Sequence, residues 1–137
     1  VKEAEAAIGV RHLSLDCSAQ GEKRLRAAVP GYYPHWLKRG QTAGIADDTC
    51  VNAYDIYLTT HKGVADRVVA AVVKNIWDNV DKLPPLHPSF KDWTRPRAVD
   101  GDVTMPYHPA VVQFYKERGA WPAAMDEAQR KLLSQNP

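Results

Sequence analysis

MPYHPAVVQFYKERGAW occupies Met105 to Trp121, and a shorter form of the same arrangement, PPLHPSF, occupies Pro84 to Phe90. In both, a histidine stands directly before a proline: His87 before Pro88, and His108 before Pro109. Proline is at home in the first turn of a helix, because the amide hydrogen it lacks has no partner there. The residue ahead of it is pushed out of helical geometry. His87 and His108 therefore fall at or near N-cap positions, where an imidazole turns towards free amides or into a neighbouring interface. A metal site needs at least a third ligand, and His12, His35 and His61 show no ligand spacing with either histidine. The sequence carries no Ser-His-Asp or Cys-His signature, no phosphate loop and no HExxH. Both motifs thus read as helix starts, and the histidines as pieces of architecture.

Outward from these starts, a helix is predicted from Pro109 to about Arg118. Val111, Val112 and Tyr115 supply its buried side, and Gly119 stops it. Pro122 opens a last, charged helix through Leu133. Upstream, a short helix begins at His87 or Pro88 and runs through Trp93, until Arg95 and Pro96 end it. RAVDGDVTM is a connector with a turn at Asp100 and Gly101. The clearest periodicity lies in HKGVADRVVAAVVKNIWDNVDKL, where Val64, Val68, Val72, Ile76 and Val80 recur every four residues. Val69, Val73 and Trp77 widen that stripe, and the helix ends near Lys82, ahead of Pro84 and Pro85.

The N-terminal part reads differently. GVRHLSLD predicts a strand from Val10 to Leu15 that ends at Asp16, an acid suited to a helix start. Ser18 then caps a short helix with Leu25, Ala28 and Val29 as its apolar edge. Pro30 stops that helix, and Gly21 weakens it. GYYPHWLKRGQTAGIADD has no clean period and reads as a long ordered loop rich in aromatics, a kind of segment that often carries function. Tyr54, Ile56 and Leu58 alternate with Asp55, Tyr57 and Thr59, which predicts a strand from Cys50 to Leu58.

Bulk properties exclude several classes. The 137 residues suffice for a domain with a core. A net charge of +2 is too balanced to argue for nucleic acid. No apolar run approaches the roughly 20 residues of a membrane span, and VKEAEAAIGV has no apolar signal region. Cys17 and Cys50 lack the spacing of a zinc site; one disulfide and two buried thiols both remain open.

MPYHPAVVQFYKERG resembles the C-terminal signature of the TAXI solute receptors of TRAP transporters, close to PLHPGAxRYYKExG. Pro106, His108, Pro109, Tyr115, Lys116, Glu117 and Gly119 match without a gap. The departures are Tyr107 for leucine, Ala110 for glycine, Val111 for alanine and Gln113 for arginine. VVAAVVKNIWDNVDKLPPLHPSF is similar to the family's LFENLDxLxxxHP segment. LKRGQTAGIADDT resembles its IPAGTYPGxxxDVxT loop, with Gly40, Gly44, Asp48 and Thr49 kept, Lys38 in place of proline and Thr42 in place of tyrosine. The likeness runs in order from Val10 to Ala120.

The resemblance implies an α/β chain: the C-terminal portion of a two-lobed, type II periplasmic-binding-protein-like fold, with few strands and several packed helices. Residues 9–60 would be the strand-and-loop region of a solute-binding lobe and residues 61–137 the C-terminal helices, as a single domain or a fragment. It implies a bacterial periplasmic receptor that binds a small organic solute, an anion or an amino-acid-like molecule with a carboxylate, and delivers it to TRAP membrane subunits. Neither a cofactor nor catalysis is expected. Open sheet edges invite pairing with a second copy.

For the ligand, Tyr33 and Trp36 can wall a pocket, and Lys38, Arg39 and His35 can attract an anion. Gly40 and Gly44 allow close backbone approach, Thr42 stands at the family's tyrosine position, and Thr49 and Asn52 can donate hydrogen bonds. The blander reading makes the aromatics core packing and the basic residues a solvated rim. Two other functional readings stay open: an interaction module with no ligand, built from the helical tail, and a small enzyme using His108 or His35 with Asp47 or Asp48.

Overall fold

The computed structural model describes residues 2–135. It is mixed α/β, with five α-helices and a single two-stranded sheet among the described residues. The chain divides into two compact units, residues 1–57 and 58–137.

In the N-terminal unit, α1 (Lys2–Ile8) is built from strong helix formers and ends where Gly9 takes a positive φ of 67°. It buries no side chain, so periodicity gave no sign of it. Residues 10–17 follow without regular structure. The strand expected from Val10 to Leu15 is absent because the segment finds only isolated partners: His12 N–H donates to Gly44 O at 2.9 Å and Leu15 N–H to Cys50 O at 2.8 Å. Two such bonds do not make a ladder.

Helix α2 (Ala19–Ala28) starts as expected, with the Ser18 hydroxyl accepting from Gly21 N–H at 3.1 Å. Asp16 acts just ahead of it, accepting from Ser18 N–H at 2.9 Å and from Arg24 at 2.5 Å. The bonds from Ser18, with Arg24 in support, hold its carboxyl below the usual carboxylate range. Gly21 is a packing requirement: a Cβ there would lie 2.0 Å from Asp16 O.

The segment expected to be a loop instead contains β1 (Tyr32–Leu37), which pairs antiparallel with β2 (Thr49–Tyr54). Five of its six residues are aromatic, His or Leu, which suits a pleated surface despite Pro34. The register sets Tyr32 against Tyr54 and Leu37 against Thr49. The ladder stops at Tyr54, so the strand expected to reach Leu58 is shorter. A disulfide between Cys17 and Cys50 fastens the irregular segment to β2, and Cys50 is 0% exposed.

In the C-terminal unit, α3 (Asp66–Asp78) packs on α4 (Pro109–Glu117). The covered face of α3 lies within the predicted stripe but is centred on its widening residues rather than on the four-residue row. Val68 and Val72 are 48% and 43% exposed, while Val69 and Val80 are buried and Val73, Ile76 and Trp77 half-buried. A four-residue repeat drifts by about 40° per step round a helix of 3.6 residues per turn; spacings of four, three, one and three stay on the face. On α4 the buried residues are Ala110 and Phe114, with Val111, Val112 and Tyr115 only half-covered. Trp77 lies edge-on to Phe114, with ring centroids 6.0 Å apart.

Both His-Pro pairs cap where the sequence placed them. His87 Nδ1 accepts from Ser89 N–H at 3.2 Å, ahead of a 3₁₀ turn over Pro88–Asp92. His108 Nδ1 accepts from Ala110 N–H at 3.3 Å at the start of α4. A ring nitrogen that accepts an amide hydrogen is committed to the fold. Helix α4 ends at Glu117, and Gly119 adopts a φ of 65° just beyond. Helix α5 (Met125–Gln135) begins three residues after Pro122, later than expected. Its buried Gln129 grips the backbone of Tyr107 from both sides, accepting from the N–H at 2.9 Å and donating to the carbonyl at 2.7 Å.

Candidate solute-binding site

The seven residues singled out from the sequence all lie on the β1–β2 hairpin and its connecting loop. Paired residues of an antiparallel ladder project to the same face, and the face alternates along each strand. Trp36, opposite Cys50, and Asn52, opposite Pro34, therefore share one face. Tyr33, opposite Ala53, and Thr49, opposite Leu37, share the other.

The two groups meet different surroundings. Trp36 is 53% exposed, and Asn52 is also exposed. Tyr33 is half-buried: the Arg26 guanidinium sits 5.9 Å from its ring centroid, and its hydroxyl donates to Asp55 at 3.2 Å. Thr49 is 6% exposed, and its hydroxyl donates to Asp47 O at 2.7 Å.

Beyond β1 the chain folds into a compact turn. Lys38 N–H donates to the Gln41 side chain at 2.9 Å, Gln41 N–H returns to Lys38 O at 2.9 Å, and Gly40 N–H donates to Ile45 O at 2.9 Å. Asp48 closes the turn, accepting from Lys38 Nζ at 2.6 Å and Arg39 N–H at 3.0 Å. The Lys38 bond, then the Arg39 amide, hold its carboxyl below the usual carboxylate range. The Lys38–Asp48 pair is solvent-exposed, and such pairs exchange readily for other partners. Gln41 was missed as a clasp. Its signal was an amide side chain within a turn, three residues past the strand end.

The two loop glycines separate. Gly40 has a φ of 73° and nothing within 4 Å of where a Cβ would stand, so a ligand can reach its backbone. Gly44, with a φ of 80°, has the His12 ring 3.0 Å from that position and accepts no side chain for structural reasons. Trp36, Lys38, Gly40, Thr42 and Asn52 thus form the solvent-facing part of the set, and Tyr33 and Thr49 the supporting part. Two surface concavities lie in the C-terminal unit, and neither includes any of the seven.

The histidines named for catalysis do not converge on an acid in a cleft. His108 Nε2 stands 4.0 Å from Asp66 Oδ1, and its other nitrogen caps α4. Asp48 is held by its own turn. Among the described residues no group of three or more His, Cys, Asp or Glu is placed to hold a metal, and no helix is long and apolar enough to cross a membrane.

A mixed α/β chain with a short sheet, packed helices and a cationic, aromatic hairpin is compatible with part of a periplasmic-binding-protein-like domain. The sequence profile of the NMT1-like family matches residues 1–119, and the chain belongs to that family. It is a family of binding proteins that includes periplasmic solute-binding proteins and is usually extracellular or periplasmic, which assigns the chain a solute-binding role in general terms. No curated protein matches the chain.

Proposed function

We propose that this chain is the solute-recognising component of a TRAP-type, TAXI-like transport system in the bacterial periplasm, and that it binds a small organic anion without chemical turnover. The carrying observation is the solvent-facing set on the hairpin: an exposed indole at Trp36, the cations of Lys38 and Arg39, and the open space beside Gly40. An anion that displaces Asp48 from Lys38 would gain a charge-assisted bond, while Trp36 covers the apolar part of the solute. Thr42 and Asn52 supply hydrogen bonds at the rim, and Tyr33 and Thr49 hold the hairpin's other face. The family supports a small-molecule ligand, and the Cys17–Cys50 disulfide suits an oxidising compartment. TRAP membrane subunits are the downstream partners. A second copy can pair along the open edges of the two-stranded sheet.

The test is calorimetric titration of the full chain with dicarboxylates and amino acids. Saturable binding that Lys38→Gln weakens about ten-fold supports the proposal. Flat titrations with every member of the panel favour an interaction module instead.

A further inference from the structure

Outside the hairpin, the C-terminal unit holds a groove whose chemistry the reading above does not use. Its volume is about 290 Å³, and Val80, Pro84, Lys91, Trp93, Thr94 and Pro96 line it, with Asp81 and Arg95 at one end. We propose that this groove binds a small planar aromatic carboxylate, of the size of benzoate or an indole acetate.

The apolar part of the site is rigid. Trp93 is held edge-to-face by Phe90, with ring centroids 5.2 Å apart and planes at 75°, and its backbone N–H donates to Phe90 O at 3.1 Å. Val80 is buried, and Pro84 and Pro96 line the same groove as the indole. A fixed indole face beside proline rings favours a flat apolar body that stacks.

Charge selects the second half of the ligand. Asp81, which lines the groove, and Asp92, next to Lys91 in sequence, already have guanidinium partners: Arg95 at 3.5 Å and Arg97 at 3.2 Å. Arg95 is further committed, donating twice to Trp77 O at 3.2 and 3.0 Å. Lys91, by contrast, has no ion pair or hydrogen bond among the described residues, and it is exposed on the groove wall. The Thr94 side chain caps no backbone, although it occupies a cap position. One uncompensated ammonium and one available hydroxyl beside an aromatic wall define a carboxylate end and an aromatic end. The volume sits near the lower bound of ligand pockets, which restricts the occupant to a small molecule.

The experiment is a two-dimensional ¹H–¹⁵N titration of the full chain that follows the tryptophan indole signals, with Trp93 assigned through Trp93→Phe. Sodium benzoate is the probe, benzamide its uncharged control and a proline-rich peptide the competing occupant. The Trp93 signal should move saturably with benzoate. Benzamide, and benzoate with Lys91→Gln, should each bind about ten-fold more weakly, as loss of a charge-assisted bond requires. No movement at Trp93 overturns the assignment. So does equal binding of benzamide, an unchanged affinity in Lys91→Gln, or movement with the peptide alone. Lys91 is exposed, so its replacement leaves the fold intact. Trp36 reports the hairpin separately, which keeps failure here distinct from failure there.

Discussion

Reduction or removal of the Cys17–Cys50 disulfide should melt the N-terminal unit selectively. That unit spans 57 residues, and among its described residues only two apolar side chains are buried, Ile45 and Cys50. Domains of this size are marginal and lean on staples. The disulfide joins residues 33 apart in sequence. The loop-closure relation gives about 12.5 cal/mol/K for such a loop, or about 4 kcal/mol at 25 °C. The bond also fixes the irregular segment on β2, where Ser14 Oγ accepts from Cys50 N–H at 3.1 Å and Leu15 N–H reaches Cys50 O. With the bridge open, residues 10–17 keep only scattered hydrogen bonds: those two, the His12 N–H bond to Gly44 O, and the bonds of Asp16 to Ser18 and Arg24.

The assay is amide hydrogen exchange on the oxidised chain and on Cys17→Ser, which leaves a thiol rather than a hydroxyl in the buried position. Leu15 and Cys50 should lose protection by a factor on the order of 10² to 10³, the equivalent of that free energy. Amides of α3 and α4 should change little. A loss below about 1 kcal/mol would refute the loop-entropy reasoning. An equal loss in both units would refute the selective role.

Four further outcomes are expected. Gly21→Ala should destabilise the N-terminal unit by at least about 2 kcal/mol in denaturant unfolding, because the new methyl meets a backbone carbonyl that cannot yield. Gln129→Leu should cost about 2 kcal/mol, read the same way, by stranding both backbone groups of Tyr107. Burial pushes the Tyr115 hydroxyl up to about 12. The folded state then keeps its proton where the unfolded chain loses it. The resulting stability is complete below about pH 10 and lost as pH rises to about 12, and an alkaline unfolding series with Tyr115→Phe should remove that component. Asp48 shifts the opposite way, held down by Lys38. Its contribution is present at neutral pH and lost as pH falls through its depressed range, which Asp48→Asn should abolish in an acid unfolding series.

The helical half was legible because its signals are local. A proline after a cap position and a glycine after a last turn act within a few residues, so His87, His108, α4 and Gly119 fell where expected. The apolar stripe of α3 was legible, but which edge of it stays exposed was not, since helix drift carries Val68 and Val72 off the face that Val69 shares with Val73. The sheet was harder for a different reason. Strand β1 has a proline and no alternation, and it exists because β2 offers it a register; Val10–Leu15 has better composition and no such partner. Helix α1 buries nothing, so no periodicity marked it.

The hairpin site shows what residue type leaves undetermined. Tyr33 and Trp36 look equivalent in sequence, three residues apart in one aromatic run. The ladder gives them opposite faces, and each meets a different neighbour: the Arg26 guanidinium for one, solvent for the other. The same division separates Gly40 from Gly44, both left-handed, only one with open space beside it. A residue suited to binding becomes available for binding only where packing leaves it unused. On that criterion Trp36 and Gly40 are left open at the hairpin and Lys38 is tied only to an exposed Asp48, which is why recognition is proposed for them, while Tyr33, Gly44 and Thr49 are spent on holding the strands.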